Sequence, residues 1–245
     1  MGEARAMPRD FQHPSVAIAT RESLRHDRRL PVRRSRRPIR RRAIMRAIKF
    51  GWEWLACAGG LVIASPLFLI CWFVIRRDGG PMLYAHERVG RHGRPFKCLK
   101  FRTMVVDADR RLQELLASDP DAAAEWAAYQ KLRNDPRVTP FGRFLRRTRL
   151  DEIPQFINVL RGEMALIGPR PVTAEELARY GRLRRLYKSV RPGITGLWQV
   201  SGGNSISYDE RVALETHYIR DWSLGLDIII VGRTIREVLF HHTGV

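Results

Sequence analysis

The chain has 245 residues, a net charge of +19 from 44 Lys and Arg against 25 Asp and Glu, and only three cysteines, Cys57, Cys71 and Cys98. That length allows one globular domain and something more. The cysteines exclude a disulfide framework and a metal-ligand cluster, and the charge directs attention to anionic partners: nucleic acid, acidic lipid or phosphorylated substrates.

Taken in order, the chain opens on a tail. Residues 1–49 hold 15 Lys and Arg against 4 Asp and Glu, so most of the excess charge is N-terminal. Residues 1–42 end in RRLPVRRSRRPIRRR and carry too little apolar periodicity to fold alone, so a basic disordered tail is expected. Such an arm suits an anionic membrane surface. With no interleaved aromatic platform and no binding module, nucleic acid is not an expected partner. Nor is this a secretory signal, because the apolar segment starts too late and runs too long.

Trp54–Ile75 is 22 residues without a charge, about 33 Å as a straight helix and enough to cross a bilayer core. Ser65-Pro66 interrupts its centre, where proline removes a hydrogen bond and clashes with the preceding turn. Ser65 can bond a carbonyl freed by the break. Basic residues flank both ends, Arg46 and Lys49 before and Arg76 and Arg77 after, so both sides read as cytoplasmic. A re-entrant helix–break–helix over 43–78 satisfies both observations; a proline-kinked span is the alternative.

Gly90 and Gly93 predict a hairpin turn, followed by a strand over Phe96–Met104 bearing Lys97, Lys100 and Arg102. Ala108–Leu132 reads as helical with a break at Asp119-Pro120. Leu145–Pro171 follows, LRRTRLDEIPQFINVLRGEMALIGPRP, in which Asp151 and Glu152 sit between arginines and a Gly-Pro-Arg-Pro turn. Ile153, Phe156, Ile157 and Leu160 recur at helical spacing, Pro154 fits only a first turn, and Gly162 is a stop. The carboxylates therefore fall at a helix N-terminus, where anions are favoured. Thr173 with Glu176 predicts a capped, arginine-rich amphipathic helix through about Ser189, and Ser207 with Glu210 another through Arg220. Leu224–Phe240 is apolar but interrupted by Asp227 and Arg233, which suits a buried or interfacial helix. His217, His241 and His242 lack ligand spacing.

No glycine-rich phosphate loop and no Ser-His-Asp arrangement is legible. What remains is Asp151-Glu152 among cations. An ionised carboxylate is a covalent nucleophile for phosphorus, kept ionised by cations and a helix N-terminus, and a neighbouring Glu can hold Mg²⁺. Arg146 and Arg170 are candidate bidentate phosphate clamps. The residues alone leave open whether Asp151 does this or simply caps a helix beside a solvated basic face.

Several motifs, in order, carry a resemblance: Ala64-Ser65-Pro66 in the apolar run, Lys100–Met104 (KFRTM), Asp135–Pro171, Arg191–Gly202 (RPGITGLWQVSG) and Tyr208–Thr234. Over roughly residues 46–240 the chain resembles the bacterial sugar transferases, the monotopic polyprenyl-phosphate phosphoglycosyl transferases, in their minimal form. The resemblance implies an α+β, mainly helical fold: a re-entrant membrane helix, then a compact cytoplasmic catalytic domain over 79–245 with amphipathic interfacial helices and a small β element. It implies transfer of a sugar 1-phosphate, a hexose by the LWQVSG loop, from a UDP-sugar to undecaprenyl phosphate at the bacterial inner membrane. UMP is released and Mg²⁺ is the cofactor; a homodimer is compatible with it. Carried over, Asp151 is the nucleophile, Asp151 and Glu152 attend the metal, and Arg146 and Arg170, with Lys100 and Arg102, bind phosphate. Two departures stand out: Gly203 where relatives usually carry Arg, and Glu215 in place of Asp. Rival readings are a Mg²⁺-dependent phosphohydrolase using the same dyad, and a basic membrane or nucleic-acid scaffold.

Overall fold

Pro66 divides the apolar run into two helices. A computed structural model describes residues 39–129, 132–203 and 206–240; the expectations for the tail through residue 38 and for His241 and His242 lie outside these. Helix α1 (Ile39–Ile63) and helix α2 (Ser65–Ile75) meet at Ala64, and Pro66 takes the first turn of α2, where its missing N–H costs nothing. The bend between Ala43–Ile63 and Ser65–Asp78 is 56°. Among the described residues no single helix is long and apolar enough to cross a membrane; this bent pair passes that test together. Ser65 forms no side-chain hydrogen bond among the described residues, so the expected carbonyl contact is not made.

Each limb has a buried inner face. On α1, Glu53 and Cys57 are buried, and Gly60 lies against the Phe156 ring so closely that a Cβ there would sit 2.7 Å from it. On α2, Cys71 and Ile75 are buried and Phe68 meets Phe101 edge-on, centroids 4.8 Å apart. The outer faces leave Leu55, Val62, Ile63, Leu69, Trp72 and Phe73 more than half exposed. Arg76 and Arg77 fold back over Trp72 and Phe73.

Lys49 is not the solvated flanking charge that the sequence suggested. Its ammonium is drawn inside and bonds Glu53 at 2.7 Å, Asp227 at 2.8 Å and the Ile167 carbonyl at 3.1 Å. Asp227, which interrupts the last apolar segment, also accepts from Tyr218 and Trp222. Buried charges need such partners.

Strands β1 (Leu83–Val89) and β2 (Pro95–Phe101) form the expected antiparallel hairpin, with Leu83 opposite Phe101 and Val89 opposite Pro95. The strand stops three residues short of Met104: Arg102 turns inward and Met104 bridges to Val138 instead. Helices α3 (Ala108–Ser118) and α4 (Pro120–Tyr129) are separated at Asp119, whose carboxylate accepts from the amides of Asp121 and Ala122.

Helix α5 (Pro140–Arg147) is capped by Thr139; a 3₁₀ turn (Leu150–Glu152) and helix α6 (Gln155–Leu160) follow. Strand β3 (Ala165–Ile167) pairs in parallel with β4 (Gly193–Thr195), Ala165 opposite Gly193. Between them the predicted helix to Ser189 is broken. Helix α7 (Ala174–Ala178) has its capping box, but Gly181 adopts φ +51 and starts a 3₁₀ turn, and helix α8 is only Arg184–Tyr187. Helix α9 (Tyr208–Asp221) starts on the Ser207–Glu210 capping box, and α10 (Leu224–Phe240) closes the described chain. Among the described residues the result is mainly helical α+β with two small two-stranded sheets.

Candidate active site

The dyad does not sit on a helix N-terminus. Arg149 takes a left-handed conformation, φ +57, which ends the α5 segment and turns the chain into the 3₁₀ turn carrying Asp151 and Glu152. Non-glycine residues rarely adopt this geometry. Helix α6 begins after Pro154, and neither carboxylate caps it. Gly162, φ +74, does end the segment as expected.

Lys100 on β2 faces the dyad. Its ammonium is 2.6 Å from Glu152 Oε1 and 3.9 Å from Asp151 Oδ2. Asn158, fully buried on α6, fixes that strand: its Oδ1 accepts from the Leu99 amide at 3.0 Å, and its Nδ2 donates to the Lys97 carbonyl at 2.8 Å. The free edge of β2 is thereby bonded, and Lys100 is held opposite the carboxylates.

Arg146 on α5 donates Nε–H to Thr103 Oγ1 at 2.9 Å. This contact depends on Gly142, where a Cβ would lie 2.0 Å from the Thr103 carbonyl oxygen. Arg170 in the Gly-Pro-Arg-Pro turn has its backbone amide anchored on Glu215 at 3.1 Å and its guanidinium over the Trp198 ring, 5.4 Å from the centroid. Neither guanidinium has a carboxylate partner among the described residues. Burial lowers the pKa of both, with Asp151 opposing this at Arg146, and Arg211 adding to it at Arg170 while Glu152 opposes.

Asp151 is 9% exposed, and burial pushes its carboxyl up to about 6; Lys100 and Arg146 pull it down while Glu152 pushes it up. The strongly ionised carboxylate expected from the sequence is therefore corrected: desolvation outweighs the cations. It remains mostly ionised at neutral pH, and its higher pKa makes it a better electron-pair donor.

Arg102 is turned away from phosphate binding. Its Nε donates to the Pro81 carbonyl, Nη1 to Asp78, and Nη2 to the Ile75 carbonyl and Asp78, which pins the end of α2. Glu215, noted only as a departure, is central: buried, it accepts from Arg170 N–H, from Tyr180 O–H and from Arg211 Nε at 3.3 Å. Two buried donors in this cluster, Trp198 Nε1 and Arg211 Nη2, have no acceptor among the described residues. Trp198, Asn158 and Arg211 all lie inside motifs that carry the resemblance, but spacing and residue type singled out none of them. His217 lies 3.2 Å from the exposed Asp221 carboxylate, one helical turn along α9.

The family model for the bacterial sugar transferases matches residues 44–241. The chain belongs to that family. This bacterial sugar transferase is 52% identical over 179 residues to an undecaprenyl-phosphate galactose phosphotransferase of Salmonella typhimurium, covering 73% of the chain but 38% of that protein. It is 50% identical over 191 residues to the exopolysaccharide production protein ExoY of Sinorhizobium fredii, covering 78% of the chain and 84% of that protein. An undecaprenyl-phosphate glucose phosphotransferase of Komagataeibacter xylinus is 40% identical over 192 residues, covering 74% of the chain and 34% of the relative. The chain thus spans about two fifths of the length of the Salmonella protein.

Proposed function

We propose that this transferase moves a hexose 1-phosphate from a UDP-sugar to undecaprenyl phosphate through a phosphosugar ester on Asp151. The observation that carries the reading is the buried Asp151 facing Lys100, with two unpaired guanidiniums, Arg146 and Arg170, in electrostatic contact with the dyad. The relatives' names supply the acceptor class.

An Asp151 oxygen attacks the β-phosphorus; the bond from that phosphorus to the bridging oxygen breaks, and UMP leaves with the electron pair. An oxygen of the lipid phosphate then attacks the same phosphorus, the bond to Asp151 breaks, and the carboxylate is restored. Arg170 and Arg146 neutralise charge on the phosphoryl oxygens, and Lys100 orients Glu152 and keeps Asp151 ionised.

Among the described residues no three His, Cys, Asp or Glu side chains cluster as a metal cage. The dyad nonetheless fits Mg²⁺, which takes one or two carboxylates from a protein and completes its shell with water and substrate phosphates. Asp151 and Glu152 would hold it, and it would supply charge neutralisation at the diphosphate.

The exposed outer faces of α1 and α2 fit insertion in the inner membrane from the cytoplasmic side. Cysteines at Met45 and Arg77 should label from one side; labelling from opposite sides would refute the re-entrant reading. The chemistry is tested by incubation with UDP-hexose and mass spectrometry of the Asp151 peptide. A phosphosugar adduct, discharged only by a polyprenyl phosphate, is expected. Acceptor-independent phosphate release would instead support the phosphohydrolase.

A further inference from the structure

A cavity of about 130 Å³ lies beside the start of the apolar run, away from the dyad. Arg46, Lys49, Phe50, Glu53, Arg91 and Arg191 are among the residues that line it, while none of Asp151, Glu152, Lys100 or Arg170 does. At about 30 Å³ per water, it has room for a tetrahedral anion or a few waters.

Its charge is unbalanced. Glu53 is committed to Lys49 and to the Ile167 amide. Arg46, Arg91 and Arg191 form no ion pair among the described residues. Arg191 is half-buried with its guanidinium over the Phe50 ring, 4.8 Å from the centroid; burial and then the like charge of Arg91 lower its pKa, and Glu53 opposes them. The cavity's carboxylate, Glu53, is offset by Lys49, so Arg46, Arg91 and Arg191 leave an excess of positive charge there that a bound anion would offset. Guanidiniums match phosphate oxygens by forked hydrogen bonding.

We propose that Arg46, Arg91 and Arg191 form a phosphate-binding site separate from the dyad. Its position suggests the carrier. Along α1 the charged residues end at Glu53 and the uncharged run begins at Trp54, so the cavity stands at the polar edge of the apolar surface. An acidic lipid headgroup fits that level, and this assignment of the carrier rests on the membrane reading of α1 and α2. The phosphate chemistry does not depend on it. Arg191 also opens the turn into β4, and the neighbouring Pro192 carbonyl accepts from Ala165 N–H, so an occupant would brace the strand pair that leads to Arg170.

The test is calorimetric titration of the full chain in neutral detergent with dihexanoyl phosphatidylglycerol, dihexanoyl phosphatidylcholine or inorganic phosphate. Saturable one-to-one binding of phosphatidylglycerol is expected, at least tenfold weaker in R91Q/R191Q, largely retained in R191K and unchanged in D151N. Inorganic phosphate binding as tightly as phosphatidylglycerol would uphold the site and overturn the lipid as its carrier. The site itself is overturned if nothing binds saturably, if folded R91Q/R191Q binds like wild type, or if D151N abolishes binding. Should R91Q/R191Q not fold, R46Q/R91Q, at two exposed positions, takes its place with the same expectation.

Discussion

Asp151→Asn should stabilise the resting protein while ending transfer. The folded carboxyl has its pKa raised from 3.8 to about 6. At 1.36 kcal/mol per unit, holding it ionised in the fold costs about 3 kcal/mol. The sign follows from which state binds the proton more tightly, here the folded one. Stability is therefore fully present below the unfolded value, declines as pH rises through about 6, and is flat above it. The neutral amide escapes the penalty. At pH 8 the variant should be more stable by up to about 3 kcal/mol, roughly 6–12 °C in unfolding midpoint for a chain of this size. Near pH 4 the two proteins should converge. Thermal unfolding of both in the same detergent, without substrate, at pH 4.5 and pH 8 measures the difference, in which other titrating groups cancel. A gap that is equal at both pH values, or a less stable variant at pH 8, would refute the desolvation account of this carboxylate.

The same proton sets the rate. kcat/KM for the donor should fall about tenfold per pH unit below about 6, and Lys100→Met, which removes a cation that lowers the Asp151 pKa, should move that acid limb to higher pH. Gly142→Ala drives a Cβ to 2.0 Å from the Thr103 carbonyl, so α5 must shift; a loss of about 1–3 kcal/mol in denaturant melts and a fall in kcat of more than tenfold are expected. Asn158→Ala strips partners from the Leu99 amide and the Lys97 carbonyl, which should cost roughly 2–4 kcal/mol and free Lys100, read as lower kcat with the circular dichroism spectrum preserved. Lys49→Met leaves Glu53 and Asp227 buried without their cation; a loss of about 3–5 kcal/mol by thermal unfolding is expected, partly restored by Asp227→Asn in the same chain.

What the sequence disclosed was the chemistry that chain neighbours determine. Capping boxes at Thr173 and Ser207, the Asp119-Pro120 break, the Gly90–Gly93 turn and the division at Pro66 all depend on residues within four positions of one another. The predicted helix to Ser189 failed because a single glycine, Gly181, took a left-handed conformation that periodicity does not register. Within the site, Lys100, Arg146, Arg170 and the dyad were legible as charges, and the structure brings them together. Which cations were free was not legible. Lys49 and Arg102 look like solvated or phosphate-binding groups until distant partners claim them, namely Asp227 for one and Asp78 for the other. The raised pKa of Asp151 is a matter of packing, which no spacing rule contains.

The inner face of α1 runs Lys49, Glu53, Cys57, Gly60, and each of these answers a different part of the chain. Lys49 meets α10, Glu53 the strand β3, Cys57 the β2–α6 core, and Gly60 the Phe156 ring on α6, four residues after Glu152. A helix turns about 100° per residue, so one residue inserted between Cys57 and Gly60 would rotate the outer half out of phase with the inner. Gly60 would leave Phe156, and a larger neighbour would strike the helix that follows the turn carrying Asp151 and Glu152. The apolar segment is therefore phase-locked to the dyad. Its composition can drift among greasy residues, but its residue count between the two contacts cannot.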